Sequence, residues 1–217
     1  MDFLINYPIQ NNIQQNVPML LMMIPVIGTI IAFARQVIGI KGFGIYIPLL
    51  LTISFFGMGL NYGLLMFIIV LLTGTGLRLL LKKPRLLYLP RIAIILTLIT
   101  LVVFLILQIN FLNKIYSRNI LSILIMIALA EKFINVQIER GKRGAFILTS
   151  ETIGLSILCY YIANFELLQN IISAYPIYVI LAILLINVFL GKWTGLRISE
   201  YFRFREAIRH IELPKKK

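Results

Sequence analysis

The apolar residues of this chain come in blocks of near helix-spanning length, set apart by short polar or basic stretches, and they do not alternate with the two-residue period of a half-buried strand. Seven blocks stand out: Pro18–Arg35, Phe43–Leu60, Tyr62–Leu81, Leu89–Ile109, Tyr116–Val136, Ala145–Ala163 and Ile171–Leu190. A spanning helix needs about 20 predominantly apolar residues, because lipid offers no partner for a peptide group and the backbone must bond to itself. The pattern therefore predicts an all-α integral membrane protein of seven transmembrane helices. Glu131 and Lys132 enter the fifth block early, which places the downstream end of that span in the headgroup region. The second and third blocks are separated by little more than Gly57, Gly59 and Asn61, so a tight hairpin built on glycine is expected. Pro25, Pro48 and Pro176 lie within blocks, and each lacks an N–H. A kink or a broken helix near each is expected, with plain packing distortion as the alternative.

Composition agrees: 60% hydrophobic and 13% charged residues in 217 are too apolar for a soluble domain. Charge then suggests orientation. With the N-terminus outside, nineteen of the 21 basic residues fall on the inner side: Arg35 and Lys41, then Arg78, Lys82, Lys83, Arg85 and Arg91, then Lys132, Arg140, Lys142 and Arg143, and eight beyond the last span. Only Lys114 and Arg118 fall outside, so a cytoplasmic C-terminus is expected. The net charge of +13 flanks apolar spans with no aromatic-studded binding fold around it, which favours anionic membrane lipids over nucleic acid as partners. Residues 1–17 contain Asp2 and many Asn and Gln without a positive start, and read as an external tail rather than a signal peptide. Cys159 sits in an apolar stretch and reads as a buried thiol. With no second cysteine, and with His210 alone in the charged tail, no disulfide, metal site or cofactor is expected.

The chain also carries signs of an internal duplication. Phe33 and Phe133 are followed at equal distance by Gly44 and Gly144, with Lys41 before the first glycine and Lys142 and Arg143 before the second. The third block ends in Thr75-Gly76-Leu77-Arg78 and the seventh in Thr194-Gly195-Leu196-Arg197. Three helices, a linking helix and three more in the same orientation would explain both markers, with halves at about 18–81 and 116–197, a linker at 89–109 and a cytoplasmic segment at 198–217. Coincidence in a biased composition is the alternative. Parallel repeats occur in transporters and also in proteins that transport nothing.

Among side chains, Glu151 lies several residues inside the sixth block, beside Thr149, Ser150, Thr152 and Ser156. A carboxylate there should face the bundle interior or meet a base, with Arg35 and Arg78 as candidate partners, unless it sits close enough to the headgroups to be wet. Arg78 and Arg197 close the two tetrads, where glycine permits close helix approach and arginine can hold a carboxylate or phosphate with two bonds, or snorkel to lipid. Ile198, Tyr201, Phe204, Ile208 and Ile211 share one helical face, as in an amphipathic helix lying in the inner interface. No nucleophile elbow, phosphate-gripping glycine motif or zinc spacing appears, so no catalytic residue is assigned.

Two stretches, FARQVIGIKGFGIYIP at 33–48 and GKWTGLRISEYFRFR at 191–205, resemble a bacterial family of seven-helix membrane domains usually fused to an inactive transglutaminase-like domain. The likeness extends from about Pro18 to Arg209. It implies a bacterial cytoplasmic membrane, an outside N-terminal domain and an inside C-terminus, and it associates such domains with an ATP-grasp ligase and a protease-like protein. No transglutaminase-like domain is expected within this sequence, a departure from the common pattern: either a separate chain supplies it or the role has changed. Arg35, Lys41, Arg78, Arg197, Arg203 and Arg205 are the candidate anion- or partner-binding positions. Gly39, Gly44, Thr75, Gly76, Gly144, Thr194, Gly195 and Glu200 are structural candidates, and Glu151 is the intramembrane carboxylate. The expected role is a non-catalytic membrane subunit of an envelope peptide or polymer synthesis or export system, scaffolding partners or conducting an anionic product. A solitary solute transporter and a receptor-like signalling module are the alternatives.

Overall fold

The computed structural model describes residues 17–81, 87–108, 120–192 and 195, and among them every regular element is a helix. The first apolar block forms α1, Val17–Phe33, which runs into a π-helical turn at Ala34–Ile38. Gly39 ends that turn in the left-handed region at φ 91°, its N–H donating to Ala34 O at 3.0 Å. A side chain there would be strained, so glycine is the residue that allows the chain to leave the helix at this point. After a non-helical stretch come α2, Tyr46–Met58, and α3, Leu60–Leu80, joined at Gly59, where φ is 82° and ψ 150°. The remaining helices are α4, Tyr88–Leu107; α5, Ile120–Glu139; α6, Gly141–Ala163; α7, Glu166–Ala174; and α8, Pro176–Gly191.

Among the described residues, five segments are long and apolar enough to cross a membrane: Met19–Ile38, Leu60–Leu80, Leu89–Leu107, Ile120–Gln137 and Arg143–Ala163. The pair α7 and α8, bent by 109°, makes a sixth if counted as one broken span. Two expectations therefore change. The second block is helical for only 13 residues, about 20 Å against a hydrocarbon core of about 30 Å. The seventh is broken before Pro176, which starts α8 where its missing N–H is of no consequence. Pro48 likewise falls in the first turn of α2 and breaks nothing, while Pro25 is accommodated within α1. The helix of the fifth block passes through Glu131 and Lys132, where apolar Phe133, Ile134 and Val136 resume the pattern, and continues to Glu139.

Two apolar clusters hold the bundle. Phe55, Phe67 and Phe133, all fully buried, centre the first between α2, α3 and α5, with the rings of Phe67 and Phe133 edge to face at 5.0 Å. Met23, Ile27, Ile31, Leu155, Cys159, Ile172 and Ile183 join α1 to α6, α7 and α8 in the second. Cys159 packs there as a small hydrophobe. The outer surface is equally apolar: Leu72, Leu101, Phe104, Phe146, Leu184 and Phe189 are all exposed. Helices apolar on every side belong in lipid, where close van der Waals fit rather than water exclusion selects their contacts. Gly74 shows such a fit, since a Cβ there would lie 2.9 Å from Ile134 Cδ1 and 3.3 Å from Ile99 Cδ1.

Candidate functional site

Polar groups within this apolar body gather into three ties among the described residues. In the first, the non-helical stretch after Gly39 lies along α6. Lys41 N–H donates to Glu151 Oε2 at 2.8 Å, and Phe43 N–H donates to Thr152 Oγ1 at 3.1 Å. Gly42 is buried between them, with room for a Cβ only 3.2 Å from Thr152 Oγ1. Glu151 is ten positions past Gly141, about 15 Å along the helix axis, so irregular backbone lies against the middle of α6. Such backbone survives at depth only where protein or water satisfies it, and Glu151 and Thr152 supply two of the acceptors. The seam continues between α2 and α6: Ser156 Oγ donates to Pro48 O at 3.1 Å, and Thr52 Oγ1 to Ser156 O at 3.3 Å.

In the second tie, Gln137 of α5 reaches two residues of α3. Its Nε2 donates to Thr75 Oγ1 at 2.8 Å, and its Oε1 accepts Arg78 Nη1 at 3.0 Å. Arg91 of α4 leans on the same corner, its Nη2 lying 3.5 Å from Arg78 O. In the third, α8 is held to α1 by Gln36 Nε2 donating to Leu190 O and by Asn187 Nδ2 donating to Thr29 Oγ1 at 2.9 Å. A cleft of about 470 Å³ opens beside this tie, lined by Phe33, Val37, Leu185, Ile186, Phe189 and Leu190.

Over residues 2–208 the sequence matches the family described as 7 transmembrane helices usually fused to an inactive transglutaminase. The chain belongs to this family. No curated protein and no solved structure matches it. It is a multi-pass membrane protein, and membership associates it with a transglutaminase-like domain.

Within this family member the structure redistributes the residues singled out from the sequence. Glu151 meets the Lys41 backbone rather than Arg35 or Arg78, and it is half-buried. Lys41 is exposed and Arg35 half-buried in the π turn. Arg78 and Thr75 come together through Gln137, whereas Gly76 faces open space, so the close approach expected at the tetrad occurs at Gly74 instead. Gly44 takes φ 48° in the stretch before α2, while its counterpart Gly144 lies within α6, where a Cβ would sit 3.2 Å from Arg140 Cβ. Phe33 is half exposed and Phe133 fully buried. Gly195 is exposed. Thr194, Arg197, Glu200, Arg203 and Arg205, the amphipathic face from Ile198, and Lys114 and Arg118 lie outside the described residues. Sequence reasoning passed over Gln36, Gln137 and Asn187. Their one available signal was a polar amide near the end of an apolar block.

Proposed function

We propose that this chain is the membrane scaffold of an envelope assembly, seating a transglutaminase-like domain on its outer face and presenting its basic end to a cytoplasmic ATP-grasp-type ligase. Membership of a family usually fused to an inactive transglutaminase carries the proposal, because a fused domain that has lost its chemistry serves best as a binding module anchored by its membrane partner. The assembly makes or exports an envelope peptide or polymer. The N-terminus lies outside and the basic end inside the bacterial cytoplasmic membrane, as the distribution of Lys and Arg favours.

The seventh crossing is α2, completed by the stretch from Gly39 to Ile45 that α6 holds in place, and α7 with α8 form one broken crossing. The two halves are related as parallel repeats, α1 to α3 and α5 to α8, with α4 as linker. Helix neighbours support that reading. α1 packs on α8 as α5 packs on α3, α2 packs on α5 as α6 packs on α1, and α2 faces α6. Gln36 ties the end of α1 to α8, and Gln137 ties the end of α5 to α3, at matching places in the halves. The interface between halves is filled by Leu51, Thr52, Phe55, Thr152 and Ser156, all buried, which favours a scaffold over a conducting path in this conformation.

Affinity purification of the full chain in mild detergent, followed by identification of co-purifying proteins, tests the proposal. A transglutaminase-fold protein and an amide-forming ligase are expected. Recovery of the chain alone, combined with solute uptake by liposomes containing it alone, would replace the scaffold with a solitary transporter.

A further inference from the structure

The corner between α3 and α4 holds two like charges with no compensating acid among the described residues. Arg78 and Arg91 are near enough to repel each other, and the acceptors found for them are neutral: the Gln137 amide for Arg78 and, at 3.5 Å, the Arg78 carbonyl for Arg91. Arg91 Nε is buried with no hydrogen-bond partner among the described residues. Nε and Nη2 form one edge of a guanidinium, the edge that takes an oxyanion with two parallel bonds. On Arg91 that edge carries a single long contact and one unmet donor. A buried donor without an acceptor is costly, and more so when charged and beside a second cation. Gln137, itself anchored on Thr75, holds the Arg78 group in place, so one side of the corner is set in advance.

We propose that this corner is an oxyanion site of the phosphate class, with Arg91 gripping the anion through its Nε–Nη2 edge and Arg78 as the second positive wall. The phosphate belongs either to a lipid headgroup or to a soluble phosphate ester. Both sources present the same tetrahedral anion. The site goes beyond the scaffold reading and stands whether or not the chain has protein partners.

The test uses the full chain, purified in a neutral detergent and stripped of lipid, with two probes: short-chain phosphatidylglycerol followed by native mass spectrometry, and inorganic phosphate followed by the shift in Tm. The parent is expected to bind at least one probe saturably. Arg91→Gln should weaken that binding by about tenfold or more, and Arg91→Lys by several-fold, because lysine keeps the charge and loses the two-bond edge. Both variants should melt near the parent without anion, since the tie removed is long, and in Arg91→Gln the like-charge repulsion is relieved as well. Displacement of the lipid by phosphate would assign a soluble ligand, and lipid binding insensitive to phosphate would assign a headgroup, each with the proposed chemistry. Absence of saturable binding to either probe would overturn the site. So would parental affinity in both variants, or a large fall in anion-free Tm in both, which would make Arg91 a structural tie.

Discussion

Thr152 makes two bonds with one hydroxyl, donating to Leu148 O at 2.7 Å and accepting Phe43 N–H at 3.1 Å. Valine has the same shape without the acceptor, so Thr152→Val leaves the Phe43 amide unpaired in an apolar setting. The expected cost is about 1–3 kcal/mol, and Thr152→Ser should recover most of it. Unfolding by SDS titration in mixed micelles measures both, and equal stability of the valine variant and the parent would show that water reaches Phe43 N. The glycines give a second contrast. Gly74→Leu must displace Ile134 and Ile99 at the contact of α3 with α5 and α4, at a cost of about 1–3 kcal/mol by overpacking, whereas Gly76→Leu extends into open space and should be near neutral. The same titration would expose an inverted order, which would place the helix contact on the tetrad face.

At the level of elements, the break at Pro176 separates two helices of different character. α7 exposes Glu166, Asn170 and Ser173 and buries Ile172, as a helix lying in the membrane interface does. α8 is apolar throughout, with Leu181, Leu184 and Leu185 exposed to lipid. Since the native Cys159 is buried, introduced thiols can be read against a low background. A membrane-impermeant maleimide added to intact cells should label Asn170→Cys and leave Leu184→Cys unmodified. Labelling of Asn170→Cys only after the cells are opened would reverse the orientation, and equal labelling at both positions would show α8 in contact with water.

The described residues form a bundle with Arg35, Arg78, Arg91 and Arg140 toward one end and turns through Gly59 and α7 at the other. Placing that basic end in the cytoplasm makes a specific demand on reporter fusions. A reporter active only outside the cytoplasm should be silent when fused after Lys217 and active when inserted between Lys114 and Arg118. The opposite pattern would invert the molecule and move the Arg78–Arg91 corner and the proposed ligase-facing surface to the outer side.

The sequence by itself determined the membrane class, the helical character, most span positions to within a few residues and the hairpin at Gly59. All of these follow from local apolarity and from what glycine does to a backbone, which need no knowledge of neighbours. Family membership was also legible, through the stretches at 33–48 and 191–205. Tertiary structure alone decided that α2 would be short, because the N–H groups of Lys41 and Phe43, 110 and 109 positions from their acceptors, find Glu151 and Thr152 instead of a helical turn. It decided that Gly74 rather than Gly76 would meet a neighbouring helix, and that Arg78 would answer to Gln137, 59 positions away, with Arg91 left beside it short of an acceptor. Periodicity assigns a residue to a face of its own helix, and which groups meet across helices depends on rotation and depth that only packing sets.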